Sequence, residues 1–143
     1  MSLHVGFRVG TTDYALPAAD VLHLDTFDAA TPVPGAPAYV AGLVQTRGKL
    51  VPVVDLRARF GLAPAERTLD SRIVVVRVGA RIAGLLVDSA REVMQIDEAA
   101  CEQPPDVFRA RTNEFVKAVA TVTKRLVLVV DVPRIIGEEH SDG

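Results

Sequence analysis

Few side chains in this 143-residue chain are of the kinds that perform chemistry, and their spacing narrows the options. His23-x-Asp25 has the form of a base and the carboxylate that orients it. With Arg47 it is the constellation that a small-molecule-binding or enzymatic reading would use. No nucleophile stands at a recognisable spacing from it, and neither Gly-x-Ser-x-Gly nor a phosphate-binding loop occurs. His23 is expected on the exposed face of a strand whose buried face carries Val21 or Leu22. His4, His23, His140 and Cys101 are too few and too scattered for a zinc site, so no metal or cofactor is expected. Cys101 lacks a CxxC partner and a flanking cation, which predicts an inert thiol. Glu92, Asp97, Glu98 and Glu102 read as a solvated acidic stretch.

Asp55 follows an apolar strand and invites a catalytic reading, but Asp131 occupies the same place in a second copy of the segment. Both precede a short stretch ending in glycine (Gly61, Gly137), the pattern of a helix N-cap and a left-handed stop. Arg47-Gly48 differs, because its counterparts in the second copy are Thr123-Lys124. A glycine that accepts positive φ would display the arginine on a bend. Its guanidinium offers five donors in a planar fork suited to partner carboxylates and carbonyls. Folding does not require Arg47, which makes it the candidate for binding.

The elements that position these residues come in two versions. Shifting the chain by 76 positions aligns Leu50, Val51, Val53, Val54, Asp55 and Gly61 with identical residues from Leu126 to Gly137, and Tyr39-Val40 with Phe115-Val116. Upstream, Leu3, Val5, Phe7 and Val9 alternate as in a half-buried strand that returns after Gly10–Asp13. Ile73–Val78 and Ile82–Val87 form a matching hairpin, Arg8-Val9-Gly10 aligning with Arg77-Val78-Gly79. Val21–Leu24 is a third strand, matching Val93–Ile96 in the second copy. Prolines 32, 34 and 37 make residues 28–37 a loop, and a turn of helix is expected near Ala38–Ala41. Pro52 lacks a ladder donor, which predicts an edge strand or a neighbouring bulge. Residues 101–112 form a second proline-containing loop. The polar segment 63–71 divides the halves, so each unit is expected as a contiguous barrel of about five short strands, at about 3–62 and 72–137, with 138–143 a polar tail. One such unit would be marginal alone, and two would share an apolar interface.

The net charge of −2 and isoelectric point of about 5.9 leave no basic footprint for nucleic acid or an anionic membrane. A nucleic-acid-binding small barrel is therefore disfavoured. No apolar run approaches the roughly 20 residues of a membrane span. The N-terminus lacks a secretory pattern and the single cysteine suits a reducing compartment, so a cytoplasmic location is expected.

Thr31–Gly48 followed by Leu50–Phe60, then Gly84–Asp88 with Glu92-Val93-Met94, and finally Arg125–Ile136, strongly resemble the CheW-like chemotaxis coupling proteins. The resemblance runs from about Leu3 to Gly137. It implies a mostly β fold of two five-stranded SH3-like barrels sharing a core, with short helices, as one domain over 1–143. It also implies a non-enzymatic adaptor linking the cytoplasmic tips of chemoreceptors to the regulatory domain of a CheA-type histidine kinase, itself of this fold, barrel against barrel. Arg47 matches the family's receptor-associated arginine, with Gly48 beside it. Val21, Leu24 and Gly42 fall where the first barrel of the family meets receptor or kinase. Two departures bear on partner identity: the family's usual Asn-Leu before the Arg-Gly is Gln45-Thr46, and an acidic residue common in the third strand is His23. They leave room for a chemotaxis-like pathway with a non-flagellar output.

Overall fold

A computed structural model describes residues 1–105 and 114–137. Ten strands account for nearly all regular structure: β1 (Ser2–Val9), β2 (Thr12–Pro17), β3 (Val21–Thr26), β4 (Val40–Thr46), β5 (Lys49–Asp55), β6 (Arg72–Val78), β7 (Arg81–Val87), β8 (Ser89–Ile96), β9 (Val116–Val122) and β10 (Arg125–Val130). Two helices of one turn each, α1 (Leu56–Arg59) and α2 (Val132–Ile136), follow β5 and β10.

The strands form two five-stranded sheets, ordered β8-β1-β2-β10-β9 and β3-β6-β7-β5-β4. Each sheet curls on itself. Flat sheets of this width would separate their edge strands by about 19 Å. Instead Met94 of edge strand β8 and Ala120 of edge strand β9 meet in one small core with Ala15, Val127 and Val129. A second small core, Val53, Ile73 and Val75, fills the other barrel. The opposite faces of both sheets meet in the shared core, where Phe7, Val9, Tyr14 and Leu16 pack against Val54, Val74, Val76 and Leu85. Burial on both faces explains why Ile73–Val76 is an unbroken apolar run and not an alternating one.

The barrels are not the contiguous units expected at 3–62 and 72–137. The opening hairpin β1–β2 joins β8, β9 and β10, and the second hairpin β6–β7 joins β3, β4 and β5. The repeat is real, but its copies exchange hairpins. Local chain length forces this: a single residue, Asp88, separates β7 from β8, fewer than the two a hairpin turn needs. The chain must run on into the other sheet. Parallel ladders then join each hairpin to the opposite unit, Val53 beside Gly84 and Val129 beside Ala15.

The pairing also corrects the alignment of β3 with β8. Leu24 faces Val74 and Val93 faces Val5, so Leu24 corresponds to Val93 rather than to Ile96. A bulge sits at the matching place in both, at Leu22 and opposite Gly6–Phe7. Residues 38–39 form a turn, not a turn of helix, and β4 starts at Val40. Of the two expectations for Pro52 the bulge holds and the edge does not: β5 lies between β7 and β4, and the β4–β5 register shifts between Val40 and Gly42, next to the Leu43–Pro52 pair. Pro52 precedes Val53, where the ladder with β7 begins, and so interrupts no bond on that side. The second proline-containing loop is described only to Pro105, and the tail 138–143 lies outside the described residues.

Both aspartates act as caps. Asp55 accepts the Arg57 N–H at 3.0 Å and Asp131 accepts the Arg134 N–H at 3.2 Å. Pro133 occupies the first turn of α2, and Gly61 and Gly137 take φ of 79° and 81° at the stops.

Candidate functional site

Thr46 and Lys49 pair across β4 and β5, leaving Arg47-Gly48 as a two-residue turn with φ of 50° and 78°. Positive φ at both central positions is what a type I′ turn requires, and its twist matches that of the flanking strands. Thr123-Lys124 makes the same turn in the other barrel, with φ of 50° and 66°. The bend is thus a property of the repeat, and Arg47 stands exposed at its tip.

Beneath the tip, side chains close the seam between edge strands β3 and β4. The buried Thr46 hydroxyl donates to Asp25 Oδ2 at 2.6 Å, and His23 Nε2 lies 3.2 Å from the same hydroxyl oxygen. His23 was expected on an exposed face. The bulge at Leu22 turns it inward, opposite Val75, and leaves Leu22 exposed in its place. Burial and the Arg47 cation lower the His23 pKa against the opposing pull of Asp25. The Thr46 hydrogen bond holds the Asp25 carboxyl below its ordinary value, aided by the Thr26 N–H, His23 and Arg47 and resisted by burial.

This arrangement brings together the three residues of the enzymatic reading, His23, Asp25 and Arg47, but it does not make a catalytic relay. The single hydroxyl proton of Thr46 is committed to Asp25, so His23 must donate to that oxygen and cannot withdraw a proton from it. The triplet is a structural tie. In the other barrel the corresponding seam is closed by Arg125 and Glu92, an ion pair. Over the tie, Leu22, His23, Thr46, Arg47, Lys49 and Ile82 line a cavity of about 170 Å³. Its rim is cationic and its floor apolar. Among the described residues no group of three or more His, Cys, Asp or Glu is placed to hold a metal. Burial, Asp97 and Glu98 raise the Cys101 thiol pKa, away from reactivity.

The remaining expected site residues scatter. Leu24 is exposed at 43 %, on the face opposite His23. Val21 is half-buried against the shared core. Gly42 is buried, with φ of 141°, and any Cβ there would collide with the Thr31 carbonyl, whose strand-like bridge to Leu43 presses on it. Gly42 therefore lets the Thr31 backbone pack against β4. Sequence reasoning missed Leu22 and Lys49, because the bulge that exposes Leu22 leaves no compositional trace.

A family model described as CheW-like domain matches residues 4–140. The chain belongs to the CheW-like domain family. Among its relatives, the chemotaxis protein CheW of Rhizobium meliloti is 30% identical over 138 residues, covering 96% of this chain and 89% of that one. The chemotaxis protein CheW of Bacillus subtilis is 28% identical over 135 residues, covering 94% and 86%. The crystal structure of the scaffolding protein TtCheW from Thermoanaerobacter tengcongensis superposes with a TM-score of 0.83 at 32% identity, covering 91% of this chain and 88% of that one. The two-barrel architecture is thus that of CheW-like proteins. Within that frame, Thr46 and His23 are hydrogen-bonding neighbours at the seam under Arg47.

Proposed function

We propose that this chain is a non-enzymatic adaptor coupling chemoreceptor cytoplasmic tips to the regulatory domain of a CheA-type histidine kinase, working in the cytoplasm and recruited to receptor arrays. Membership of the CheW-like family supports the coupling role, and the names chemotaxis protein and scaffolding protein borne by its relatives agree with it. Among the described residues no helix is long and apolar enough to cross a membrane.

The observation that carries the site is Arg47 at a turn whose shape does not depend on it, over a cavity with an apolar floor. Arg47 and Gly48 would make the polar contact, Leu22 and Leu24 the apolar ones, and Val21 and Gly42 hold the strands behind them. A residue bound to a partner through a charged fork contributes of the order of 1–3 kcal/mol.

The test uses Arg47→Asn, since asparagine tolerates the left-handed turn while removing the cation. Pull-down and titration with a receptor tip fragment and the kinase should show affinity for at least one partner reduced about tenfold or more, at an unchanged melting temperature. Normal binding to both partners by this variant would falsify the site assignment.

A further inference from the structure

The two ends of the interface between the barrels are related by the repeat, yet they differ in charge. At the first end a groove of about 470 Å³ is lined by Thr12, Tyr14, Arg57 and Leu128. Its one guanidinium is neutralised, Arg57 Nη2 lying 2.7 Å from Asp88 Oδ2 and Nε 3.0 Å from Oδ1. At the second end Arg81 replaces Thr12, Ala83 replaces Tyr14 and Pro133 replaces Arg57. There a cavity of about 640 Å³ is lined by Arg59, Arg81, Arg134, Glu114, Phe115 and Pro133.

Arg59 is itself a break in symmetry, standing where the other copy has Ile135. Its guanidinium lies between the rings of Tyr39 (3.8 Å) and Phe115 (4.9 Å). It donates to the carbonyls of Ile135 (2.8 Å) and Arg134 (3.1 Å). Arg81 donates to the Gly137 carbonyl at 2.7 Å. These acceptors are neutral, and among the described residues neither Arg59 nor Arg81 pairs with a carboxylate. Among the described residues the one carboxylate near Arg134 is Asp131, at 3.8 Å and already capping α2, and Arg134 Nη1 also donates to the Glu114 carbonyl at 3.4 Å. Among the described residues, three cations thus border one cavity with a single lining carboxylate, Glu114. Like charges around a shared space repel, and an anion placed between them relieves the repulsion. Two of the forks are held in place by carbonyls and rings, so little side-chain entropy would be lost on binding.

We propose that this second groove binds a small multivalent oxyanion, a phosphate- or carboxylate-bearing molecule held by Arg59, Arg81 and Arg134. The cavity has the size of a small-molecule site. The groove shares no residue with the Arg47 cavity, so the two sites can be tested separately.

Isothermal titration of the full chain at constant ionic strength, with pyrophosphate and separately with citrate, tests it. Saturable one-to-one binding of either anion is expected, the tighter one naming the group preferred. Arg81→Gln should weaken that binding about tenfold or more, and Arg77→Gln, on an exposed part of β6, should leave it unchanged. Should Arg81→Gln lower the melting temperature, Arg134→Gln replaces it, with a several-fold loss expected because that side chain is 69% exposed. Heats that do not saturate for either anion, or saturable binding indifferent to both substitutions, overturn the proposal.

Discussion

Burial and the Arg47 cation lower the His23 pKa at the seam, against the pull of Asp25, and this shapes how the molecule responds to acid. A histidine whose folded pKa lies below its ordinary 6.5 binds fewer protons folded than unfolded over that interval. Its contribution to stability is present above 6.5 and is lost as pH falls through the folded value. Asp25, lowered from 3.8, acts in the same direction: its contribution is present above 3.8 and is lost on further acidification. The melting temperature should therefore fall as pH drops below 6.5, and His23→Gln should flatten the upper part of that fall. An unaltered acid slope in the variant would show that His23 is not the titrating group. A second residue test concerns Asp88. Burial alone would raise its pKa, but the Arg57 fork and the Gly10 N–H (2.8 Å) together hold it below the ordinary value. It ties α1 of one segment to the opening hairpin of the other barrel. Asp88→Asn should cost about 1–2 kcal/mol in urea unfolding, since one charged, partly exposed acceptor is replaced by a neutral one. At this scale the caps Asp55 and Asp131 and the exposed Arg47-Gly48 bend were legible in the residues themselves, as each follows from local backbone needs. The face of His23 was not, because a one-residue bulge reverses the alternation from which faces are read.

Among the elements, the exchange of hairpins decides how the chain can be divided. Residues 1–66 contain β1–β5, but β1 and β2 have their partners in β8 and β10, and β3 and β5 have theirs in β6 and β7. A fragment cut after Glu66, in the exposed junction, keeps only one hairpin for each barrel, β1–β2 and β4–β5. Two isolated hairpins are marginal in water. Each half alone should give a coil-like circular dichroism spectrum, and mixing the halves should restore the β spectrum. A folded, monomeric first half would contradict the exchange. The two-copy pattern was visible in the sequence through identical residues 76 apart, since both copies meet the same packing demands. Which copy pairs with which was not visible. A contiguous and an exchanged repeat bury the same residues and differ only in where the connections lead.

The whole molecule is held by a row of rings through the interface, Phe7 on Tyr14, Tyr14 on Phe60 and Phe60 on Phe115, with centroids 5.6, 5.1 and 5.6 Å apart. Phe60 comes from the segment after α1 and Phe115 from the other copy, so the row belongs to neither barrel. Phe60→Ala should cost about 3–5 kcal/mol and still unfold in one transition, with tyrosine fluorescence and far-ultraviolet circular dichroism changing together. Separate transitions would show that the barrels are independent. The sequence by itself determined the strand-rich composition, the doubled unit, the two caps and the kinship with coupling proteins. These are written in local periodicity and in residues at set spacing. Only the tertiary structure decided which hairpin completes which barrel, which way His23 and Leu22 point, and that Arg59, Arg81 and Arg134 border one cavity. Those outcomes depend on distances between residues far apart in the chain, set by one-residue links, a bulge and close packing, and no local pattern encodes them.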